Sequence, residues 1–242
     1  MFHVARHTFH EHMDLNSIVL IGFYVFILVY TIIVHEVAHG FVALWLGDST
    51  AKYADRLNFN PVKHIDPWGS IIVPLFMIMT TGFAFGWAKP VPYNPYNLKD
   101  QKWGPALVAL GGPGTNILIA LVFAFIAKMI TIPSAVKLAV INNFNDWSVV
   151  SGIISGSVGS IFFELSILVV FWNVILAFFN LIPFPPLDGS KLLFAVFPVR
   201  TEIMIMMEQY GFMLLLLFII IFSGPLGFFL NTMLNIFFSL AV

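Results

Sequence analysis

Hydrophobic positions along this chain come in long unbroken blocks, not in the short alternations of a soluble fold. Apolar runs of about 18 or more residues are long enough to cross a bilayer as helices. Such helices are expected over residues 17–46, 68–84, 103–129, 157–182, 202–222 and 225–242. The second run is short for a span, and only Ser223 and Gly224 part the last two. Between the blocks lie polar stretches rich in proline and asparagine, chiefly DRLNFNPVKHIDPWG (residues 55–69) and GWAKPVPYNPYN (residues 86–97). Pro90, Pro92 and Pro95 exclude helix and favour extended chain. Extended backbone at membrane depth survives only where it is buried in protein or lines a wet cavity. The expected fold is thus an all-α polytopic membrane protein, with about six transmembrane helices and short re-entrant or extended β-like loop segments around a water-filled interior. Lysine and arginine do not orient it, because Lys52, Arg56 and Lys63 in one loop balance Lys89, Lys99 and Lys102 in the next.

Residues 1–16 read as a polar, solvent-exposed tail; its His3, His7, His10 and His12 could bind metal weakly and are assigned no function. A cleavable signal peptide fits poorly, since the apolar run from Ile18 is too long for one and only Arg6 precedes it. Residues 17–242 form one expected membrane-embedded domain, with neither an internal repeat nor a polar stretch long enough for a soluble module. Hydrophobic residues make up 60% of the chain and charged residues 10%, which excludes an ordinary water-soluble domain. A net charge of -1 with scattered basic residues leaves no footprint for nucleic acid. The absence of cysteine excludes disulfides and thiolate zinc sites, so any metal must be held by histidine and carboxylate.

Inside the first apolar block the sequence IIVHEVAHGF places His35, Glu36 and His39. Residues four apart on a helix share a face, so His35 and His39 can offer two imidazoles to one cation, while Glu36 is turned about 100° from His35. This is the H-E-x-x-H arrangement, in which two histidines bind zinc and the glutamate acts as general base toward water. If the helix emerges near residues 45–47, the histidines lie about 9 to 18 Å in from that end. A glutamate at that depth costs at least ~2.5 kcal/mol to insert, and such residues usually serve a site. The alternative is a neutral, hydrogen-bonded trio tying helices together.

A catalytic zinc takes three protein ligands. The candidate third is Asp188 in FFNLIPFPPLDGSKLL, where Pro183, Pro185 and Pro186 break an apolar helix before Asp188 and Gly189. A carboxylate there needs a positive partner, which a metal held by two neutral histidines provides; the alternative is an N-cap for the following helix.

HEVAHG in the first long helix, GGPGTN at residues 111–116 and NLIPFPPLDG at residues 180–189, together with LNFNPVKHIDPWGSIIVPL and GWAKPVPYNP, resemble the site-2 protease family of zinc intramembrane metalloproteases. The resemblance covers most of the chain between about residues 32 and 192. It implies a zinc-dependent intramembrane endopeptidase that cleaves transmembrane segments of membrane-protein substrates, as in regulated intramembrane proteolysis. It further implies one Zn²⁺ per chain on His35, His39 and Asp188, with Glu36 as catalytic base. Asn180 matches the asparagine ahead of the family's aspartate motif, which orients the substrate carbonyl or supports its oxyanion; a C-terminal helix cap is the alternative for Asn180. Asn116, matching the family's G-P-x-x-N asparagine, is a supporting residue or ordinary helix-packing polarity. Ser190 stands where many relatives have a second glycine. The chain reads as a compact form without PDZ or CBS domain, a multi-pass protein in the plasma membrane of a prokaryote, with the bilayer and a membrane-spanning substrate as partners. A transporter would also use a broken helix with an acidic residue, but gives no reason for Glu36 to follow His35. An inactive chaperone of protease descent would not need the four residues intact.

Overall fold

The computed structural model describes residues 15–81, 86, 88–144, 146–197 and 199–242. The histidines of the expected tail lie outside them, as do residues 82–84 of the second expected span. Every regular element among the described residues is helical. α1 (Leu15–Trp45) and the short α2 (Thr50–Tyr53) come first, then a π-helical turn (Pro67–Ile72) running into α3 (Val73–Thr81). α4 (Gly104–Met129), α5 (Ser134–Asn142), α6 (Trp147–Ile154) and α7 (Val158–Asn180) follow. α8 (Gly189–Val196), α9 (Thr201–Gln209), α10 (Gly211–Ile221) and α11 (Ser223–Ala241) complete the order.

α1 is 31 residues long, about 46 Å at 1.5 Å per residue, more than the roughly 30 Å of a bilayer's hydrocarbon. It stops where Gly47 takes a left-handed φ of 112°. The amides of Gly47 and Asp48 then turn back onto the carbonyls of Leu44 (3.1 Å) and Ala43 (2.9 Å), so the last turn's acceptors are satisfied inside the protein. α4 lays a seam of small residues, Ala120, Ala124 and Ala127, against the larger Phe163, Ile167, Val170 and Val174 of α7, all buried. Small residues let helix axes approach closely where lipid supplies no hydrophobic drive. Leu234, Phe237 and Phe238 of α11 and Leu20 of α1 close the same core. The opposite faces expose Phe23, Phe26, Leu118, Phe125 and Phe162, an apolar surface suited to hydrocarbon and not to water.

Two expectations need adjustment. Among the described residues four helices, α1, α4, α7 and α11, are long and apolar enough to cross a membrane, and the six expected runs are not all matched by such helices. The run over 202–222 divides at Tyr210, leaving α10 only 11 residues, about 16 Å, of apolar helix. The residues between Pro67 and Thr81 are likewise short, about 22 Å. The extended loops are also briefer than expected. Asn60 accepts the Val62 amide (3.1 Å) and closes Pro61–Lys63 into a 3-10 turn; Asn94 does the same for Pro95–Asn97. Among the described residues, 88–94 form a run without helix or turn, with Pro90 and Pro92 in it and no strand partner.

Candidate metal centre

His35 and His39 lie one turn apart on α1, their rings perpendicular and 4.6 Å between centroids. Each ring is held by its Nδ1. His39 Nδ1 sits 2.7 Å from the Val108 carbonyl, which can only accept, and 3.3 Å from the Gly112 amide; the shorter contact decides, so this nitrogen carries the proton. The proton on His35 follows from a longer chain of bonds. Asn173 Nδ2 donates to the Val169 carbonyl (2.8 Å) and to Thr31 Oγ1 (3.2 Å), which fixes its amide orientation. Its Oδ1 therefore accepts from Asn116 Nδ2 (2.8 Å), and Asn116 Oδ1 faces His35 Nδ1 at 2.8 Å. His35 must donate there. Both Nε2 lone pairs are thereby left pointing the same way, and outer partners of this kind set tautomer and ring orientation in metal sites.

The imidazoles pack over Gly112. A Cβ added at Gly112 would lie 2.6 Å from Cε1 of each ring, so only glycine leaves room. Gly111, next to it, faces Val42 and the Ala38 carbonyl with the same tightness, at 2.8 and 3.1 Å. These two glycines of GGPGTN let α4 meet α1 at the depth of the histidines. Pro113 lacks an amide and interrupts the hydrogen-bond ladder of α4 just beyond.

Asp188 arrives from the opposite side. α7 ends at Asn180, and the chain folds through turns to Asp188 at the head of α8, with Ser190 Oγ donating to the Leu187 carbonyl (2.7 Å). Gly189 is packed against the backbone carbonyls of Leu181 and Ile182, with no room for a Cβ. The Asp188 side chain makes no capping bond to α8. Its Oδ2 instead stands 3.1 Å from His35 Nε2 and 3.3 Å from His39 Nε2. The three ligand atoms lie within 4.8 Å of one another.

With both Nδ1 atoms already donating, these are three acceptors in mutual contact. A cation resolves the conflict. A tetrahedral zinc with bonds of about 2.0–2.1 Å holds its ligand atoms about 3.3 Å apart, and the 3.1 and 3.3 Å separations from Asp188 match. The residues present fit zinc.

Glu36, half-buried on the adjacent face of α1, accepts the Val91 amide on Oε2 (2.9 Å). Asn180 sits in the last turn of α7 with Nδ2 donating to the Leu176 carbonyl (2.9 Å), within its own helix and not toward His35, His39 or Asp188. Residues the sequence reading passed over are Asn173 and Thr31 behind His35, and Val91, whose amide meets Glu36. Asn173 carried a signal, being an amide in an apolar span. Asp48, fully buried just past α1, was another. It accepts from Thr50 N and Oγ1, Asn94 N and Asn97 Nδ2. Burial pushes the Asp48 carboxyl up, but bonds from Thr50, Asn97 and Asn94 outweigh it and hold the group below the usual carboxylate range.

Against known families, residues 23–223 match the model of peptidase family M50. The chain belongs to peptidase family M50. Among curated proteins, "Putative zinc metalloprotease YwhC" of Bacillus subtilis is 34% identical over 210 residues, 86% of this chain and 83% of the relative. "Putative zinc metalloprotease Rip2" of Mycolicibacterium smegmatis is 24% identical over 187 residues, 77% of this chain and 62% of the relative. No solved structure shows significant similarity. This M50 chain is a zinc metalloprotease. Its long apolar helices and bacterial relatives make it a bacterial integral membrane protein.

Proposed function

We propose that this peptidase cleaves substrates inside the plasma membrane, within their transmembrane segments, with His35, His39 and Asp188 as zinc ligands, Glu36 as general base and Asn180 as the donor that orients the scissile carbonyl. The observation that carries this reading is depth. His35 and His39 stand ten and six residues before the end of α1, about 15 and 9 Å along a membrane-length apolar helix, and the Asp188 carboxylate that meets them shares their level.

When bound, zinc supplies Lewis-acid polarisation of the peptide carbonyl and makes water acidic enough to ionise near neutral pH. Glu36 takes the proton from the attacking water and hands it to the leaving amine nitrogen. Val91 N holds Oε2 of Glu36, which leaves Oε1 for that transfer. Asn180 gives one Nδ2 hydrogen to Leu176 and has a second to offer the substrate oxygen. The target itself is a helix whose carbonyls are bonded and shielded, so it must unwind locally first. Residues 88–94 are the extended chain beside Glu36 onto which the unwound stretch can lie. Lys89, Val91 and Asn94 spend their amides within the protein, and Pro90 and Pro92 have none. A docked peptide beside Val91 therefore meets carbonyls and not free amides at residues 89–92, and donates hydrogen bonds to them.

The test is Glu36→Gln in purified protein with a single-span membrane substrate. Zinc content should stay at wild-type level while cleavage falls at least about 10³-fold. Unimpaired cleavage removes Glu36 as base, and flux of a solute into liposomes without any cleavage would favour a transporter.

A further inference from the structure

Resting on the protease reading above, we propose that Arg56 and Asp48 are positioning residues: they clamp the extended segment at its two ends, and so hold the Val91 amide against the Glu36 carboxylate. Neither residue has an ion-pair partner among the described residues, yet Arg56 is 7% exposed and Asp48 not at all. Burying a charge is costly unless its bonds are made: the one side-chain bond of Arg56 goes to this segment while its buried Nε has no partner among the described residues, and Asp48 divides its bonds between Thr50 and the segment with Asn97 just beyond it. Arg56 Nη2 donates to the Lys89 carbonyl at 2.6 Å, two residues before Val91, and the Lys89 amide donates to the His64 carbonyl at 3.0 Å. Three residues after Val91, Asp48 Oδ2 accepts the Asn94 amide at 2.7 Å, while Oδ1 takes Asn97 Nδ2 at 2.9 Å. The Lys99 amide adds a bond to Leu46 O at 3.0 Å.

What lies between the clamps is stiff. Pro90 and Pro92 fix their own φ and keep Lys89 and Val91 extended. Gly40 of α1 lets the segment lie flush, since a Cβ there would come within 2.9 Å of Val91 Cγ1. A rod fixed at both ends over a glycine leaves the Val91 amide one position. Glu36, with three free torsions, takes its orientation from that amide. The loop's burial around Asp48 is thereby a means of aiming Glu36.

The experiment compares Arg56→Met, Arg56→Lys, Asp48→Asn and Val91→Pro in full-length, zinc-loaded protein. Val91→Pro removes the amide while permitting extended chain. Arg56→Met and Asp48→Asn should each lower kcat about ten- to a hundredfold with KM and zinc stoichiometry unchanged, as misplacement of a reacting group does; Arg56→Lys, which can still reach the Lys89 carbonyl, should restore most of the rate. In the Val91→Pro background Arg56→Met should cost nothing more, because both act through one bond. A wild-type kcat in Arg56→Met, or losses that multiply in the double variant, overturns the proposal. Hydrogen exchange decides it independently of cleavage: protection of the Val91 amide should fall in Arg56→Met and Asp48→Asn, and unchanged protection overturns it. A wild-type protein that cleaves no membrane substrate would instead overturn the protease reading, leaving the exchange result to judge the clamp.

Discussion

Asn173 shows how one amide deep in a helix reaches the proposed zinc ligand His35 without touching it. Its hydrogens are committed to Val169 and Thr31, so its oxygen must take the Asn116 amide, and Asn116 in turn must accept from His35. Replacing Asn173 by leucine keeps the volume and breaks the chain, leaving Asn116 without an acceptor in a dry interior. We expect zinc affinity in Asn173→Leu to fall about tenfold, measured by competition with a chromogenic chelator. Thr31→Val should cost less, since Val169 still orients Asn173. Little of this relay was legible in the sequence. HEVAH announces itself because two imidazoles at four-residue spacing and a glutamate are expensive in hydrocarbon, and the prolines before Asp188 mark a helix broken on purpose. Asn116 and Asn173 are single amides in apolar runs, and whether they meet depends on how two helices are rotated about their axes, which local periodicity does not set.

At the scale of the element, the end of α1 carries the most information. A glycine with left-handed φ at position 47 turns the chain, and Asp48 then gathers the loop that covers Glu36. The Asp48 carboxyl lies below its ordinary value in the folded protein. Its bonds therefore contribute fully above the unfolded carboxylate pKa of about 3.9, and that contribution is lost as pH falls through the lower, folded value. Asp48→Asn should be less stable than wild type at neutral pH, with the gap closing as pH is taken below about 4. Thermal melts in detergent across that range check it; a gap independent of pH would rule out the ionised form as the stabilising one. The long helices were legible from hydropathy alone, with α4 and α7 close to the expected 103–129 and 157–182. The run over 202–222 was not, because apolar composition does not reveal the break at Tyr210 that divides α9 from α10. In the loop over residues 55–69 the composition was silent for a related reason: proline and asparagine disfavour α-helix, but the Asn60 side chain caps a tight turn.

For the whole molecule, the donor set is a joint between halves of the fold. His35 and His39 belong to α1, their backing to α4 and α7, and Asp188 to the turn after α7. Removing zinc should leave the core of α4, α7 and α11 packed, since that core is apolar and none of its members is a candidate ligand, but should free the turn that carries Asp188. Because a ligand bound only by the folded state adds stability by mass action, excess chelator should lower the melting temperature of wild type while leaving Asp188→Asn nearly unaffected, as scanning calorimetry or tryptophan fluorescence would show. Equal shifts in the two proteins would mean that the metal lies elsewhere.

The donor set also joins residues 153 positions apart in the chain. At synthesis rates of about 5–20 residues per second, Asp188 leaves the ribosome roughly 8 to 30 s after His35. With the ligand set proposed above, the histidine pair spends that interval without its carboxylate, and the new protein passes its birth among other nascent membrane segments as an unarmed precursor.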